Sequence, residues 1–161
     1  MKLAYLSLGS NLGDREGMLR KALESLEDPP RLHVRRVSRI YETEPMVVRD
    51  QPRFLNLVAE IETAFLPMQL LARTSRIERE LGRKRVVAKG PRSIDIDIIL
   101  YGNAVVESQK LTIPHVAFRE RQFVLAPLAE LAPDYRDPVT RKCVRELLAA
   151  VGSQGVRVYA G

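Results

Sequence analysis

The sequence GPRSIDIDIILY, residues 90–101, predicts a turn that leads into a β-strand. Its glycine and proline favour the turn, and the β-branched residues that follow favour the strand. Apolar and acidic residues alternate in its middle, and side chains on a strand alternate between its two faces. Asp95 and Asp97 are therefore expected on one face, with Cα atoms about 6.6 Å apart at a rise of about 3.3 Å per residue.

Two carboxylates at this spacing indicate a site for a hard cation. They repel each other unless a cation lies between them, and Mg²⁺ prefers carboxylate oxygens together with water and phosphate. Arg92, three residues before Asp95, carries a planar fork that binds phosphate through two parallel hydrogen bonds. These residues favour nucleotide chemistry. The alternative is an exposed strand face whose acids pair with nearby arginines.

The length and composition predict an ordinary globular protein. The 161 residues are expected to form a single domain, 1–161, and 45% of them are hydrophobic. No apolar run approaches the roughly 20 residues that span a membrane, and the first residues do not have the layout of a signal peptide. The single cysteine, Cys143, cannot form an internal disulfide. A cytoplasmic location is therefore expected.

The formal net charge of +6, from 26 basic and 20 acidic residues, indicates an anionic partner. A basic surface suits either nucleic acid or a small polyphosphate. An RNA-binding module on a ferredoxin-like scaffold carries an aromatic pattern on a central strand, and this pattern is not found here. Acids at positions 95 and 97 would also repel a phosphate backbone. Small-molecule substrates are therefore expected, with neither nucleic acid nor a membrane as partner, and the protein is expected to be a monomer.

The pattern of apolar residues predicts strands and helices in the order β, α, β, β, α, β, followed by a mixed tail. This order favours an α+β fold, a ferredoxin-like sandwich with a mostly antiparallel sheet and helices packed on it. The predicted elements are strand 2–9, a helix that Asp14 caps, strand 32–41 with a possible bulge at 35–36, strand 54–63, helix 67–82 and strand 94–101. The tail is predicted to contain a short hairpin within 104–113, an apolar segment 124–132 that covers the core, a helix near 144–151 and a strand near 156–159.

Other segments carry candidate binding residues, each with a structural alternative. Phe54 and Asn56 share a strand face, where they suit a flat heterocycle or form an ordinary strand end. The basic residues 83–89 are either a phosphate clamp or a solvated loop. The Gly-containing turn 9–13 either holds an anion at a helix start or simply connects two elements. His115 either contacts phosphate or ribose or has a structural role.

Five segments occur in an order that resembles a known family. They are LGSNLG (8–13), QPRFLN (51–56), GPRSIDIDI (90–98), LTIPH (111–115) and RERQFVLAPL (119–128). Together they resemble the 6-hydroxymethyl-7,8-dihydropterin pyrophosphokinases of folate biosynthesis, from the first strand to about residue 133. This resemblance implies an ATP-dependent enzyme that transfers the terminal pyrophosphoryl group of ATP to the pterin hydroxymethyl oxygen and releases AMP.

The resemblance also implies roles for individual residues. Asp95 and Asp97 are implied to bind two Mg²⁺ ions, and Arg83 and Arg92 to act with them in catalysis. The residues implied to bind the co-substrate ATP are Glu78, Arg85, Arg92, Ile98, Lys110, Thr112, His115 and Arg121. The residues implied to bind the pterin are Asn11, Thr43, Met46, Phe54, Asn56 and Phe123, with the two phenylalanine rings on either side of it.

The sequence departs from the family pattern in the segments that are expected to close over the substrates. Lys89 stands where a tryptophan can cover the active site, and Val116 stands where a tyrosine occurs. Residues 43–52 and 83–89 are expected to act as lids that exclude water. The rival enzyme class is a kinase that transfers only the γ-phosphate. That rival would release ADP instead of AMP.

Overall fold

A computed structural model describes residues 1–44, 52–82 and 94–161 of the chain. The strands are β1 (Lys2–Ser10), β2 (Leu32–Val37), β3 (Tyr41–Thr43), β4 (Phe54–Thr63), β5 (Asp95–Tyr101), β6 (Val106–Glu107), β7 (Thr112–Ile113) and β8 (Val156–Val158). The helices are α1 (Arg15–Leu26), α2 (Pro67–Gly82), α3 (Gln122–Leu131) and α4 (Val144–Val151), with a 3₁₀ turn at Phe118–Glu120. The predicted order of elements is confirmed except at the second strand, where two strands replace the single predicted one.

The main sheet has the strand order β5-β1-β4-β3-β8, and β2 pairs with β4 beside β3. Each pairing between these strands is antiparallel. The predicted strand 32–41 is divided into β2 and β3, and the register shifts between Val34 and Arg36, where a bulge was expected. If β2 and β3 are counted as one strand, the order β5-β1-β4-β2/β3 is that of a ferredoxin-like sandwich. The predicted α+β fold class is confirmed.

Local sequence signals explain the bounds of the first two helices. The Asp14 carboxylate accepts a hydrogen bond from the Gly17 N–H at 3.1 Å, which satisfies a donor at the start of α1. Pro67 begins α2, where its missing N–H costs nothing, and Gly82 ends that helix. These bounds agree with the predicted helices.

Helices cover both faces of the sheet. On one face α1 and α2 pack on a core that includes Leu57, Ile96 and Ile98. On the other face α3 and α4 pack on a second core that includes Tyr5 and Val58. The apolar segment predicted to cover the core is α3, and no helix among the described residues is long and apolar enough to cross a membrane.

Candidate functional site

A row of four residues crosses the sheet on the face that α3 covers. Gly9 of β1 lies opposite Asp95 of β5 on one side and opposite Asn56 of β4 on the other. Asn56 in turn lies opposite Tyr41 of β3. Directly opposite residues share a face of the sheet, and neighbouring strands are about 4.8 Å apart. Asp95 and Asn56 therefore lie on one face about 10 Å apart, because one strand separates them.

The residues next to this row on the same strands show which side of the sheet it faces. Ser7 lies opposite both Asp97 and Val58, and Val58 belongs to the core beneath α3. Asp97 therefore shares the α3 face with Asp95, as the alternation in the sequence predicts. The isoleucines between and beside the acids belong to the opposite core.

Gly9 lets the carboxamide of Asn56 lie across β1. A Cβ atom at Gly9 would stand 2.8 Å from the Asn56 Oδ1 atom, closer than real Cβ contacts allow. The Asn56 Nδ2 atom donates a hydrogen bond to the Thr43 Oγ1 atom at 3.0 Å, and both residues are 3% exposed. The carboxamide is therefore fixed on the face that carries the acids. Sequence reasoning found Asn56 and Thr43 but treated Gly9 only as the start of a turn.

The acids lie on an edge strand whose backbone α2 supports. The side chain of Asp97 is 47% exposed. The Ile96 N–H, between the two acids, donates to the Glu78 carboxylate of α2 at 2.8 Å. The Ile98 side chain is 4% exposed in the opposite core. Glu78 thus contacts the acidic strand, and only the backbone of Ile98 can meet a ligand on the α3 face.

His115 lies beside Asp97 with a defined ring orientation. Its Nε2 atom is 3.9 Å from Asp97 Oδ2, and its Nδ1 atom accepts a hydrogen bond from the Ala117 N–H at 3.2 Å. Burial lowers the pKa of His115, the Asp97 carboxylate opposes this shift, and the Arg121 charge adds to it. The hydrogen bond to Nδ1 and the lowered pKa both favour the neutral ring with its proton on Nε2.

Arg121 and Phe123 lie together at the start of α3. The guanidinium carbon of Arg121 is 5.4 Å from the centre of the Phe123 ring, which is a favourable cation–π distance. Phe54 is two residues from Asn56 on β4, so it shares the α3 face. Both phenylalanines are thus on the side of the sheet that carries the acids.

A buried ion pair supports the turn before Arg121, and sequence reasoning missed it. Asp137 is 1% exposed and accepts hydrogen bonds from Arg119, from the Val139 N–H at 3.0 Å and from the Thr140 hydroxyl at 2.7 Å. Burial alone would raise the pKa of Asp137, but these hydrogen bonds lower it to about 2. The sequence signal was weak, since an Asp-Pro pair indicates a turn without naming a partner.

Side chains near the end of β1 hold the backbone where the chain enters β4. The Asn11 carboxamide donates to the Pro52 carbonyl at 3.1 Å, and Arg15 donates to the Arg53 carbonyl at 2.8 Å. Asn11 is fully buried. It therefore lies beside the strand ends that carry Thr43 and Phe54.

The remaining candidates are divided between the β6–β7 hairpin and undescribed segments. Lys110 and Thr112 are exposed on this hairpin, and β7 leads towards His115. The other predicted site residues lie outside the described residues, and so does Lys89. They are Arg83, Arg85, Arg92 and Met46.

The described residues fit a cation that brings most of its own ligands. No group of three or more His, Cys, Asp or Glu side chains within residues 1–44, 52–82 and 94–161 is arranged to hold a metal ion. Mg²⁺ usually binds one or two carboxylates and takes its other ligands from water and substrate phosphates. The paired carboxylates of Asp95 and Asp97 suit this mode of binding.

Relatives with a similar sequence extend over nearly the whole chain. It is 44% identical over 157 residues to the 2-amino-4-hydroxy-6-hydroxymethyldihydropteridine pyrophosphokinase of Bacillus subtilis, covering 98% of this chain and 90% of that one. It is also 48% identical over 159 residues to the folic acid synthesis protein fol1 of Schizosaccharomyces pombe. That match covers 99% of this chain and 22% of the longer fol1 protein.

Solved structures share the fold. A crystal structure of HPPK-DHPS in complex with substrates superposes with a TM-score of 0.75 at 13% identity, covering 98% of this chain and 46% of that one. Wild-type HPPK-DHPS of Plasmodium falciparum with pteroate gives a TM-score of 0.74 at 17% identity, covering 92% of this chain and 42% of that one. At such low identity these likenesses establish the architecture alone.

The family model described as 7,8-dihydro-6-hydroxymethylpterin-pyrophosphokinase (HPPK) matches residues 5–133. This match covers most of the chain and includes each segment that carried the resemblance. The predicted enzyme class, an ATP-dependent pyrophosphokinase of folate biosynthesis, is confirmed at the level of the family. The chain belongs to the 7,8-dihydro-6-hydroxymethylpterin-pyrophosphokinase family.

Proposed function

We propose that the α3 face of the sheet transfers pyrophosphate from ATP to the hydroxymethyl group of 6-hydroxymethyl-7,8-dihydropterin and releases AMP. The row Asp95–Gly9–Asn56 is the observation that carries this proposal. It sets an acidic pair and a fixed carboxamide on one face, about 10 Å apart. That separation leaves space for a bicyclic ring and its hydroxymethyl arm next to a metal-bound triphosphate.

At the acidic end, Asp95 and Asp97 would hold two Mg²⁺ ions together with the phosphates of ATP. When bound, these ions would neutralise phosphate charge and lower the pKa of a coordinated hydroxyl. Arg121 would contact the polyphosphate from the start of α3. The other proposed ATP contacts are Glu78, Arg83, Arg85, Arg92, the Ile98 backbone, Lys110, Thr112 and His115.

His115 would act as a hydrogen-bond donor that carries no charge. Its Nδ1 atom already accepts the Ala117 N–H, so only Nε2–H is available to a ligand. Because an Nδ1 atom that accepts a hydrogen bond carries no proton, and burial lowers the pKa of His115, the ring would add no cation beside the acids. It would therefore orient a phosphate or ribose oxygen without competing with the metal.

At the other end of the row, Phe54 and Phe123 would stack on the two faces of the pterin. Asn56 and Thr43 would read its edge through hydrogen bonds, with Asn11 and Met46 next to them. Stacking and edge hydrogen bonds together would hold the hydroxymethyl oxygen in line with the β-phosphorus. Positioning of this kind supplies much of the rate enhancement in phosphoryl transfer.

The identity of the nucleotide product tests the proposal. Purified protein is incubated with ATP, Mg²⁺ and the hydroxymethyl dihydropterin, and the products are separated and identified by mass. AMP and a pyrophosphorylated pterin are expected in equal amounts. ADP with a monophosphorylated pterin would support the rival kinase, and an unchanged pterin would refute both reactions.

We propose a single domain that acts as a monomer in the cytoplasm, with small molecules and not nucleic acid as its partners. Light scattering together with chromatography, and a binding titration with mixed RNA at two salt concentrations, would test the state of assembly and the absence of RNA binding.

A further inference from the structure

Residues 154–159 contact both walls of the proposed pterin pocket. One wall is formed by β3 and β4, which carry Thr43, Phe54 and Asn56. The other wall is the start of α3, which carries Phe123. The family match ends at residue 133, before this segment begins.

Gln154 binds the start of α3 through three hydrogen bonds. Its Oε1 atom accepts a hydrogen bond from the Gln122 backbone N–H at 2.8 Å, and the Gln154 backbone N–H donates to Gln122 Oε1 at 2.6 Å. Its Nε2 atom donates to the Glu120 carbonyl at 3.0 Å. The first N–H groups of a helix have no partner within the helix, so Gln154 satisfies one of them directly before Phe123.

The same segment then pairs with β3. Val156 lies opposite Thr43, and Arg157 lies opposite Glu42. The Arg157 guanidinium donates to the Glu42 carboxylate at 3.1 Å. The Tyr159 N–H donates to the Ile40 carbonyl at 2.9 Å.

A glycine turns the chain between these two sets of contacts. Gly155 has a φ of +73°, and a Cβ atom there would stand 3.3 Å from the Glu44 side chain. A positive φ favours glycine. A single residue therefore joins the contacts with α3 to the contacts with β3, so the distance between the two walls can change little.

We propose that residues 154–159 set the separation of the two pocket walls, with Gln154 and Arg157 as positioning residues for pterin binding. This inference rests on the proposed function. A ring that stacks between two phenylalanines needs both at contact distance, because a gap of about 0.5–1 Å already loses a quarter to a half of the dispersion attraction. Asp95 and Asp97 lie on β5, at the opposite end of the strand order from β8. Arg121 is the proposed ATP contact that adjoins this segment, so ATP binding is expected to depend on it less than pterin binding does.

Gln154→Ala tests the contact with α3. Calorimetry gives the dissociation constants of ATP and of the pterin, the latter in the presence of a non-hydrolysable ATP analogue and Mg²⁺. The pterin dissociation constant and KM are expected to rise about tenfold, with the ATP dissociation constant and kcat changing less than threefold. Gln154→Glu keeps the acceptor for Gln122 and loses the donor to Glu120, so a smaller effect is expected.

Gln69→Ala is the matched control, because Gln69 also accepts a backbone N–H at a helix start. Its Oε1 atom binds the Leu66 N–H at 2.8 Å, before α2. This variant is expected to lose a similar amount of stability without a change in pterin affinity. Equal pterin affinities in the Gln154→Ala and Gln69→Ala variants, or an equal loss of ATP and pterin affinity in Gln154→Ala, would overturn the inference.

Arg157→Ala tests the other wall if Gln154→Ala does not fold. It is expected to weaken pterin binding about threefold, whereas Arg145→Ala, which removes an exposed ion pair with Asp134 at 2.7 Å, should leave it unchanged. If the two arginine variants bind the pterin equally well, the inference is overturned.

The failure of this inference can be distinguished from the failure of the proposed function. If the wild-type protein makes the product while the Gln154 and Arg157 variants bind the pterin normally, only the positioning role is refuted. Wild-type protein that binds no pterin refutes the proposed function.

Discussion

Two rows of side chains cross the same face of the sheet, and they use polar groups in opposite ways. The closed row is Tyr5–Glu60–Arg36, and the open row is Asp95–Gly9–Asn56. In the closed row the Tyr5 hydroxyl donates to Glu60 at 2.6 Å, and Arg36 donates to the same carboxylate at 3.0 and 2.8 Å. Glu60 is therefore paired from both sides.

The closed row also fixes α3, while the open row presents charge to a ligand. Arg36 donates to the Leu131 carbonyl at the end of α3 at 2.8 Å. Hydrogen bonding from Arg36 lowers the pKa of Glu60 against the opposing effect of burial, so this acid is charged and neutralised by the protein itself. The open row ends at Asp95, and Asp97 lies two residues further along β5 on the same face, so these two acids form its acidic end. The closed row contributes to stability, and the acidic end of the open row is the proposed site for a cation and its phosphates.

Removing an acid from the acidic end of the open row should have the largest effect, which is expected on activity and not on stability. Asp97→Ala is expected to lower kcat/KM at least about a thousandfold, equivalent to about 4 kcal/mol of transition-state stabilisation. The free energy of unfolding should change by less than about 1 kcal/mol, because the Asp97 side chain is 47% exposed and its distance of 3.9 Å from His115 is long. Steady-state kinetics and urea denaturation measure the two quantities. A rate within tenfold of wild type would contradict the role given to the open row.

Removing the acid of the closed row should lower stability and leave activity nearly unchanged. Glu60→Ala is expected to lower the free energy of unfolding by about 3 kcal/mol, since one buried and two partly buried hydrogen bonds to a charged group are lost. Its kcat should stay within twofold at a temperature where the variant is folded. Glu62→Ala is the control, because Glu62 forms a half-exposed pair with Arg35 at 3.1 Å and should cost less than about 1 kcal/mol. Equal stability losses in the two variants would show that burial of the closed row contributes little.

A methyl group at Gly9, the centre of the open row, should affect the carboxamide end of the row and not its acidic end. Gly9→Ala places a carbon against the Asn56 carboxamide and is expected to weaken pterin binding about tenfold, the loss of one well-oriented hydrogen bond to the ligand. Calorimetry of Gly9→Ala, Asn56→Ala and the double variant measures the coupling. The two effects should not add. If they add fully, Gly9→Ala weakens pterin binding through a contact other than the one with Asn56.

The last prediction concerns an acid outside both rows and the pH dependence of stability. The pKa of Asp137 is about 2 in the folded protein, below its ordinary value of about 3.9. The stability that this acid contributes is therefore fully present above about pH 4 and is lost as the pH falls towards 2. Asp137→Asn should show a lower Tm at pH 7 and a flatter fall of Tm between pH 5 and 2. Asp134→Asn, at an exposed acid, should keep the wild-type slope.

Local patterns predicted the elements of this fold because each depends on neighbours in sequence. The shared face of Asp95 and Asp97 follows from a period of two, and the helix that Asp14 caps follows from a period near 3.6. Both are visible in fewer than a dozen residues. The family resemblance supplied the roles of more distant residues, such as Phe123.

The contacts that no local pattern predicted join strands distant in sequence. The division of strand 32–41 depends on Ser38, whose hydroxyl accepts the Val58 N–H at 3.0 Å. The closed row requires the register of three strands, and the fit of Asn56 over Gly9 requires two. The Gln122–Gln154 pair spans 32 positions. Each contact is set by tertiary packing, which alternation and capping signals do not encode.

The hydrogen bond from Ile96 to Glu78 has a consequence for association between chains. An outer strand with unpaired backbone groups offers a template to which another chain can add a strand. Because the Ile96 N–H is already bonded to Glu78, an incoming strand at β5 would have to displace a carboxylate to complete its ladder. Glu78 thus discourages aggregation at the border of the sheet that carries the acids of the proposed nucleotide site.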